Sequence, residues 1–276
     1  RDRRETRSER TYPQGTTTAA LVGYVTADGE PGGGVELMVK KHLQGTPGKQ
    51  TFEQGRDGTI IPVGERSLTP AVDGNDVHLT ISSSLQWYAQ NSLAQRIKDV
   101  GAKSGTVVVM NAKNGNLLSV ASYPTFNPNT DVGKKGAKLG NVAFSDVFEP
   151  GSTSKIMTIA AALEEGTVTP STPVVIPNRL KRYDASFKDS HDHPTLYRTV
   201  AGTLAESSNI GTVLVSETMT SKTLESYFRK FGLGQRSGTG YPGEAKGLLS
   251  PSETWSGTQA KTVAFGATDA PLKGED

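Results

Sequence analysis

The spacing of apolar and polar residues along the chain changes character twice. Up to about Asp76 there are only short alternating runs broken by Gly and Pro, as in LVGYVTADGEPGGGVELMVKKHLQGTPGKQ. This predicts a small, loop-rich α+β module from Thr11 to Asp76 with one helix near Val35 to Leu43. From Val77 the pattern tightens. Val77, Leu79 and Ile81 alternate as a short strand, Ser83 or Ser84 can cap, and Leu85, Tyr88, Ala89, Leu93, Ile97 and Val100 follow helical spacing. TVVVM and NLLSVAS flank NAKNG, where Asn114-Gly115 supplies the positive-φ chemistry of a hairpin turn, and both strands are apolar enough for a covered sheet. A Pro/Asn/Gly/Lys stretch from Tyr123 to Glu149 predicts a long loop with one short helical piece. Then Ile156, Met157, Ile159, Ala160, Ala161 and Leu163 make a helix apolar nearly all round, expected to run through the middle of a domain. YRTVAGTLAESSNIGTVLVSETM and KTLESYFRKFGLG predict two further helical segments, the second closed by Gly232 and Gly234, and YPGEAKGLLSPSETW a loop.

Composition narrows the classes. The 276 residues are enough for two units, and no internal repeat points to a solenoid or propeller. Thirty Lys and Arg against 28 Asp and Glu leave a net charge of +2, so no overall field draws the chain to nucleic acid. The first ten residues hold five Arg and three acids without an apolar residue, which reads as a poorly packed arm. With no Cys there is no disulfide, thiolate zinc site or thiol nucleophile. No run of about 18 apolar residues and no signal-peptide core occurs, so the chain is either soluble or separated from its anchor.

Candidate chemistry begins at EPGSTSKIMTIAAALEEG, Glu149 to Gly166, where Ser152 and Lys155 stand three residues apart at the mouth of the apolar helix. Positions i and i+3 share a helix face, so the two side chains are expected to touch. A serine hydroxyl becomes a nucleophile when a base takes its proton, and a lysine serves only if burial and the helix N-terminus lower its pKa. The bland reading is a capping Ser and a Lys that extends to water. Against it stands the one S-x-N in the chain, Ser207-Ser208-Asn209 within AESSNIGT, downstream of the one S-x-x-K.

In that order the motifs resemble those of the class B penicillin-binding proteins. GTVVVMNAKNGNLLSVASYPTFNPN is similar to the opening hairpin of the family, NVAFSDVFEPGSTSK to its nucleophile approach and LAESSNIG to its second motif. FRKFGLGQRSGTGYPGE and WSGT are similar to the segment after it. The module upstream resembles the last part of the family's non-catalytic pedestal. The resemblance implies an α+β transpeptidase fold, an antiparallel sheet flanked by helices over 77–276, with a pedestal remnant over 1–76. It implies a peptidoglycan D,D-transpeptidase with Ser152 as nucleophile, Lys155 as base, Ser207 as proton relay and Asn209 orienting the substrate amide and Lys155. The backbone N–H of Ser152 would be half of an oxyanion hole. Partners would be peptidoglycan stem peptides, β-lactams and cell-wall or division proteins, on the extracytoplasmic face of a bacterial membrane, with no nucleic acid, no cofactor and no metal. FGLGQRSGTGYPGE resembles the division type. Two other readings share parts of this pattern: a serine β-lactamase, which would not need the upstream module, and a non-catalytic scaffold of the wall-synthesis machinery.

The third family motif, K-[ST]-G, is not found after the second. Lys103-Ser104-Gly105 precedes the nucleophile, and Lys261-Thr262-Val263 lacks the glycine. KTVAFG resembles a family segment that lies before the third motif, and ATDAPLKGED matches nothing in it. The expectation is therefore a chain from which the third-motif strand and an N-terminal anchor are absent. HDHPTLY, His191 to Tyr197, reads as a loop near the site rather than a metal pair. Glu164 and Glu165 are expected to face solvent, and Trp87 and Trp255 to pack.

Overall fold

A computed structural model describes residues 10–53, 55–56, 61 and 66–267. The chain divides into two units, residues 1–146 with Gly240–Glu244, and 147–239 with 245–276. The acidic and basic arm lies outside the described residues except Arg10, whose guanidinium pairs with the buried Glu36 at 2.6 Å.

The first unit begins with α1 (Ala19–Val22), β1 (Tyr24–Val25), β2 (Pro31–Gly33), α2 (Gly34–Met38), α3 (Lys40–Leu43), β3 (Lys49–Phe52) and β4 (Arg66–Thr69). The single helix expected over Val35 to Leu43 is therefore two, broken at Val39, whose φ and ψ leave the helical region. The rest of the unit comprises α4 (Ser83–Val100), the hairpin β5 (Gly105–Met110) and β6 (Leu117–Tyr123), and α5 (Val142–Ser145). Ser82, one residue before the expected cap, accepts from the Leu85 N–H. The stretch Val77 to Ile81 is not a strand. Thr80 Oγ1 and the Ser82 N–H tie it to the Leu117 and Leu118 carbonyls, while Val77 and Leu79 stay exposed. Ala89, Leu93 and Ile97 of α4 pack on Ala121, as the spacing predicts. Tyr88, Val100 and Trp87 do not pack; Trp87 is 56% exposed because it falls on the outer face of α4.

What holds α4 against β6 is polar as well as apolar. Gln86 is 1% exposed, donates through Nε2 to the carbonyls of Thr17 and Val120, and accepts through Oε1 from Ser119 Oγ and the Val120 N–H. Gln90 pairs the same way with both backbone groups of Ser122. Each amide thus extends the hydrogen bonding of β6 into the helix, where a bare strand edge would be buried without partners. The β5 residues alternate between half-buried and exposed, with Val108 and Met110 outward, whereas Ser119 to Ser122 of β6 are all buried, so the second strand of the hairpin is covered on both faces and the first is not. Its turn uses Gly115 at φ +75° and two Asn side chains that accept from the N–H groups of Lys113 and Asn116. Tyr241, returning from later in the chain, stacks on Phe144 and donates to the Ala20 carbonyl, and burial raises its hydroxyl pKa to about 12.

The second unit comprises a 3₁₀ turn (Gly151–Thr153), α6 (Ser154–Glu164), β7 (Pro173–Ile176), β8 (Leu180–Arg182), β9 (Ala185–Phe187), β10 (Leu196–Thr199), α7 (Val200–Ala205), α8 (Asn209–Ser216), α9 (Ser221–Lys230), α10 (Gln259–Thr262) and a 3₁₀ turn (Val263–Phe265). Among the described residues every strand pairs in an antiparallel two-stranded ladder, β7 with β10 and β8 with β9 here. The α+β class is as expected. Ile159 and Ala162 of α6 join Ile176, Val200, Ile210, Val213 and Val215 in one core, and α9 builds a second from Leu224 and Phe228 with Val263 and Ala264. Helix α6 thus runs through the unit, although Ile156 and Leu163 face outward. Trp255 packs on the second core and donates to the Ser250 carbonyl. No helix among the described residues is long and apolar enough to cross a membrane.

Replacing Gln86 by Leu keeps the volume but leaves the groups it now serves unpaired. We expect a loss of about 3 kcal/mol in urea unfolding, where an exposed polar substitution such as Gln95→Ala would cost under about 0.5 kcal/mol.

Candidate active site

Ser152 is set by the backbone before it. Pro150 leads into Gly151 at φ +57°, a left-handed turn that glycine adopts without a side-chain penalty, and the Gly151 N–H donates to the Gly266 carbonyl at 3.2 Å. Gly266 itself has φ +88°, and a Cβ there would stand 2.1 Å from the Gly151 carbonyl oxygen. The segment Val263 to Gly266 therefore lies directly under the start of α6, held also by Thr158 Oγ1 donating to the Ala264 carbonyl at 2.6 Å. Ser152 is exposed on the 3₁₀ turn at the head of the helix.

Lys155, three residues on, is 1% exposed. Its ammonium has left the polar surface, and burial pushes its pKa below the ordinary 10.5, while the negative charge of Asp189 pulls the other way. The Nζ donates to the Ser207 carbonyl and to Ser207 Oγ, the latter at 3.0 Å. No hydrogen bond joins Lys155 to Ser152 among the described residues, so the expected contact is replaced by one to Ser207. The two side chains still leave the same helical turn, one outward and one inward, and a catalytic hydrogen bond commonly tightens only when substrate is bound.

Ser207 comes from a break the apolar pattern did not show. The single helical segment expected across YRTVAGTLAESSNIGTVLVSETM is a strand and two helices, β10, α7 and α8, with α7 and α8 separated by Glu206, Ser207 and Ser208. Ser207 has φ +54°, unusual for a residue with a Cβ and costing about 1 kcal/mol, and such residues gather at functional sites. Ser208 makes the break possible: its Oγ caps α8 by accepting from the Gly211 N–H at 2.8 Å. Gly211 is required for closeness, since a Cβ there would stand 2.5 Å from Thr203 of α7. Asn209 opens α8 and donates through Nδ2 to the Lys188 carbonyl at 3.0 Å, and it makes no hydrogen bond to Lys155.

Three of the four residues singled out in the sequence thus adjoin: Lys155 bonds Ser207, and Asn209 is two residues along the same turn. Ser152 stands at the head of the helix that carries Lys155. Asp189 was missed, and His193 was read only as part of a loop near the site. The partners of Asp189, Ser208 and Ile210, stand 19 and 21 residues downstream, so nothing local in KDSHDH marks it. His191 and His193 are not a metal pair: His191 faces Ser190 Oγ and His193 faces Asp189, and no group of three His, Cys, Asp or Glu among the described residues could hold a metal ion. Lys261 sits in α10 and pairs with Glu217 at 3.1 Å, and a Cβ on Gly105 of the upstream Lys-Ser-Gly would stand 2.7 Å from Ile97 of α4. Glu164 and Glu165 are exposed, with Glu165 accepting from the Tyr227 hydroxyl.

The family model of the penicillin binding protein transpeptidase domain matches residues 105–273, more than half of the chain. The chain belongs to this family. Among relatives of this penicillin-binding protein chain, PbpB of Mycolicibacterium smegmatis is 37% identical over 93% of the chain and 40% of its own length. The peptidoglycan D,D-transpeptidase FtsI of Escherichia coli is 33% identical over 94% of the chain and 43% of its own length. The chain spans about two fifths of the length of these curated relatives. In structure it superposes on penicillin-binding protein 3 of Mycobacterium tuberculosis complexed with ampicillin, at a TM-score of 0.81 and 34% identity, over 94% of this chain and 54% of that one. The resemblance to class B penicillin-binding proteins read from the motifs is borne out.

The depressed lysine makes a stability prediction with a defined sign. The unfolded chain binds the Lys155 proton more readily than the folded one, so wild-type stability rises as pH increases from the folded midpoint toward 10.5. Lys155→Met, apolar and of similar length, removes that slope and gains most below the folded midpoint. Urea unfolding from pH 7 to 10 checks it; parallel curves for the two proteins would contradict the burial of a titrating amine.

Proposed function

We propose that this chain carries the acyl-transfer centre of a class B peptidoglycan D,D-transpeptidase, with Ser152 as nucleophile, Lys155 as base, Ser207 as relay and Asn209 as a substrate-orienting amide. The observation that carries the reading is the buried Lys155 amine, 3.0 Å from a serine hydroxyl on a strained turn and one helical turn from an exposed serine. A lysine kept dry in this way holds its proton more weakly than one in water, as a base for a serine requires.

In the first half-reaction Ser152 Oγ attacks the carbonyl carbon of the D-Ala-D-Ala amide, and its proton passes to Lys155. The C–N bond breaks as Ser207 hands its proton to the departing nitrogen and takes one back from Lys155, so D-Ala leaves as a free amine and an ester remains on Ser152. An amine of a neighbouring stem peptide then attacks that ester, forming the cross-link and returning the proton to Ser152. The Ser152 N–H, donor at a helix start, faces the developing oxyanion. A β-lactam forms the same ester, but its leaving nitrogen stays tethered. The activity is placed outside the cytoplasmic membrane, in cell-wall synthesis of the division type, with residues 1–76 as the remnant of a pedestal and other wall-synthesis proteins as partners. The names of the relatives and the ampicillin complex of the M. tuberculosis protein support this reading.

Mass spectrometry of the full chain after penicillin exposure tests it. A long-lived adduct on Ser152, abolished in Ser152→Ala and reduced at least about a hundredfold in rate in Lys155→Ala, is the expected outcome. Rapid return to unmodified protein would favour a β-lactamase, and absence of any adduct on the folded protein a non-catalytic scaffold.

A further inference from the structure

Asp189 lies in the loop between β9 and β10, yet both of its carboxylate oxygens serve the turn between α7 and α8. Oδ2 accepts from Ser208 Oγ at 2.7 Å and Oδ1 from the Ile210 N–H at 3.0 Å. The neighbouring Lys188 carbonyl holds Asn209, so residues 188 and 189 grip three consecutive residues after Ser207. His193 closes the arrangement from behind: its Nε2 is 3.2 Å from Asp189 Oδ2 and its Nδ1 2.7 Å from the Pro194 carbonyl. Each ring nitrogen thus faces an acceptor, and the tautomer decides which of the two receives a hydrogen bond. The His193 N–H is itself held by Asn178 Oδ1 at 3.2 Å. The side chains of His193 and Asp189 are only 6% and 8% exposed. A carboxylate taken out of water at that depth must be met by donors, and here a hydroxyl and a helix N-terminal amide do so, with the imidazole packed beside them. Other charged groups beside the pair are Lys188 and Asp192, the latter held by Arg179 at 2.7 Å.

We propose that Asp189, backed by His193, is a positioning residue for the Ser207–Asn209 turn and the electrostatic counterweight to Lys155. The mechanical part follows from Ser208: its hydroxyl gives its proton to Asp189 while accepting from Gly211, so its rotamer is fixed at both ends. With Ser208, Asn209 and Ile210 all held, the Ser207 peptide stays in the left-handed conformation that delivers its hydroxyl and carbonyl to Lys155. The electrostatic part is that the charge of Asp189 acts on the Lys155 amine against burial. Asp189, held in place by Ser208, Ile210 and His193, therefore adjusts how readily the buried amine gives up its proton. This deepens the transpeptidase reading and rests on it only for the meaning of Lys155 as a base.

Two variants of nearly unchanged shape separate the parts. NMR of the full chain with ¹³Cε-labelled lysine follows the titration of Lys155 directly. Asp189→Asn removes the negative charge but keeps an acceptor for Ser208, and the Lys155 midpoint moves to lower pH; His193→Gln keeps Asp189 and its charge, and the midpoint moves less than in Asp189→Asn. A merely structural role would not move the midpoint in a variant that keeps the turn's acceptor. Acylation by a fluorescent penicillin is measured beside it: Asp189→Ala, which strips the turn of its acceptor, slows acylation roughly tenfold, and Asp189→Asn recovers part of that rate. A midpoint unmoved in an Asp189→Asn variant that melts cooperatively by circular dichroism overturns the inference. A downward shift in a protein never acylated at Ser152 upholds it and overturns the transpeptidase reading instead.

Discussion

A single buried amine organises the second unit. Lys155 is enclosed by the helices around it, and its hydrogen bonds go to one residue, Ser207. An ammonium in such a place is costly unless paired, and among the described residues no salt bridge reaches it, so burial pulls its pKa below the ordinary 10.5. Much of the surrounding backbone can be understood as what that placement needs: a helix that starts abruptly so that the lysine falls in its first turn, and a strained turn that brings an oxygen to it.

Both requirements are met by glycine and serine doing work that bulkier residues cannot. Gly151 and Gly266 approach closely under the head of α6, and Gly211 allows α7 and α8 to fold back on each other at Ser207. Ser208 supplies the cap without which α8 could not begin immediately after a left-handed residue. The first unit solves a comparable problem by another route, with Gln86 and Gln90 using their amides to complete the hydrogen bonding of β6. In each case a polar group is buried only where its partners are fully specified.

The helical period was a sound guide wherever one face of an element packs. Ala89, Leu93 and Ile97 of α4 are buried as their spacing indicates, and Leu224 and Phe228 of α9 likewise. It failed where chemistry interrupts an apolar run. The run containing Ser207 reads as helical because Val200 and Leu204 before it, and Ile210 and Val213 after it, keep helical spacing, while the break between them comes from Ser208 and its partner in a distant loop. Alternation at Val77 to Ile81 misled for the opposite reason: the residues alternate, but no partner strand offers them a ladder, and two remain exposed.

Taken alone, the amino-acid order determined which residue types were available for acyl transfer and in what sequence: a serine and a lysine one helical turn apart, then a second serine and an asparagine. Local spacing carries that information because an i, i+3 relation is a property of the helix itself. Only the tertiary structure decided that the lysine turns inward to Ser207 rather than toward Ser152, and that Asp189 and His193 stand behind the second serine. Those contacts join residues 52 and 19 positions apart. Their geometry is set by how the helices and the β9–β10 loop pack, which no local pattern encodes.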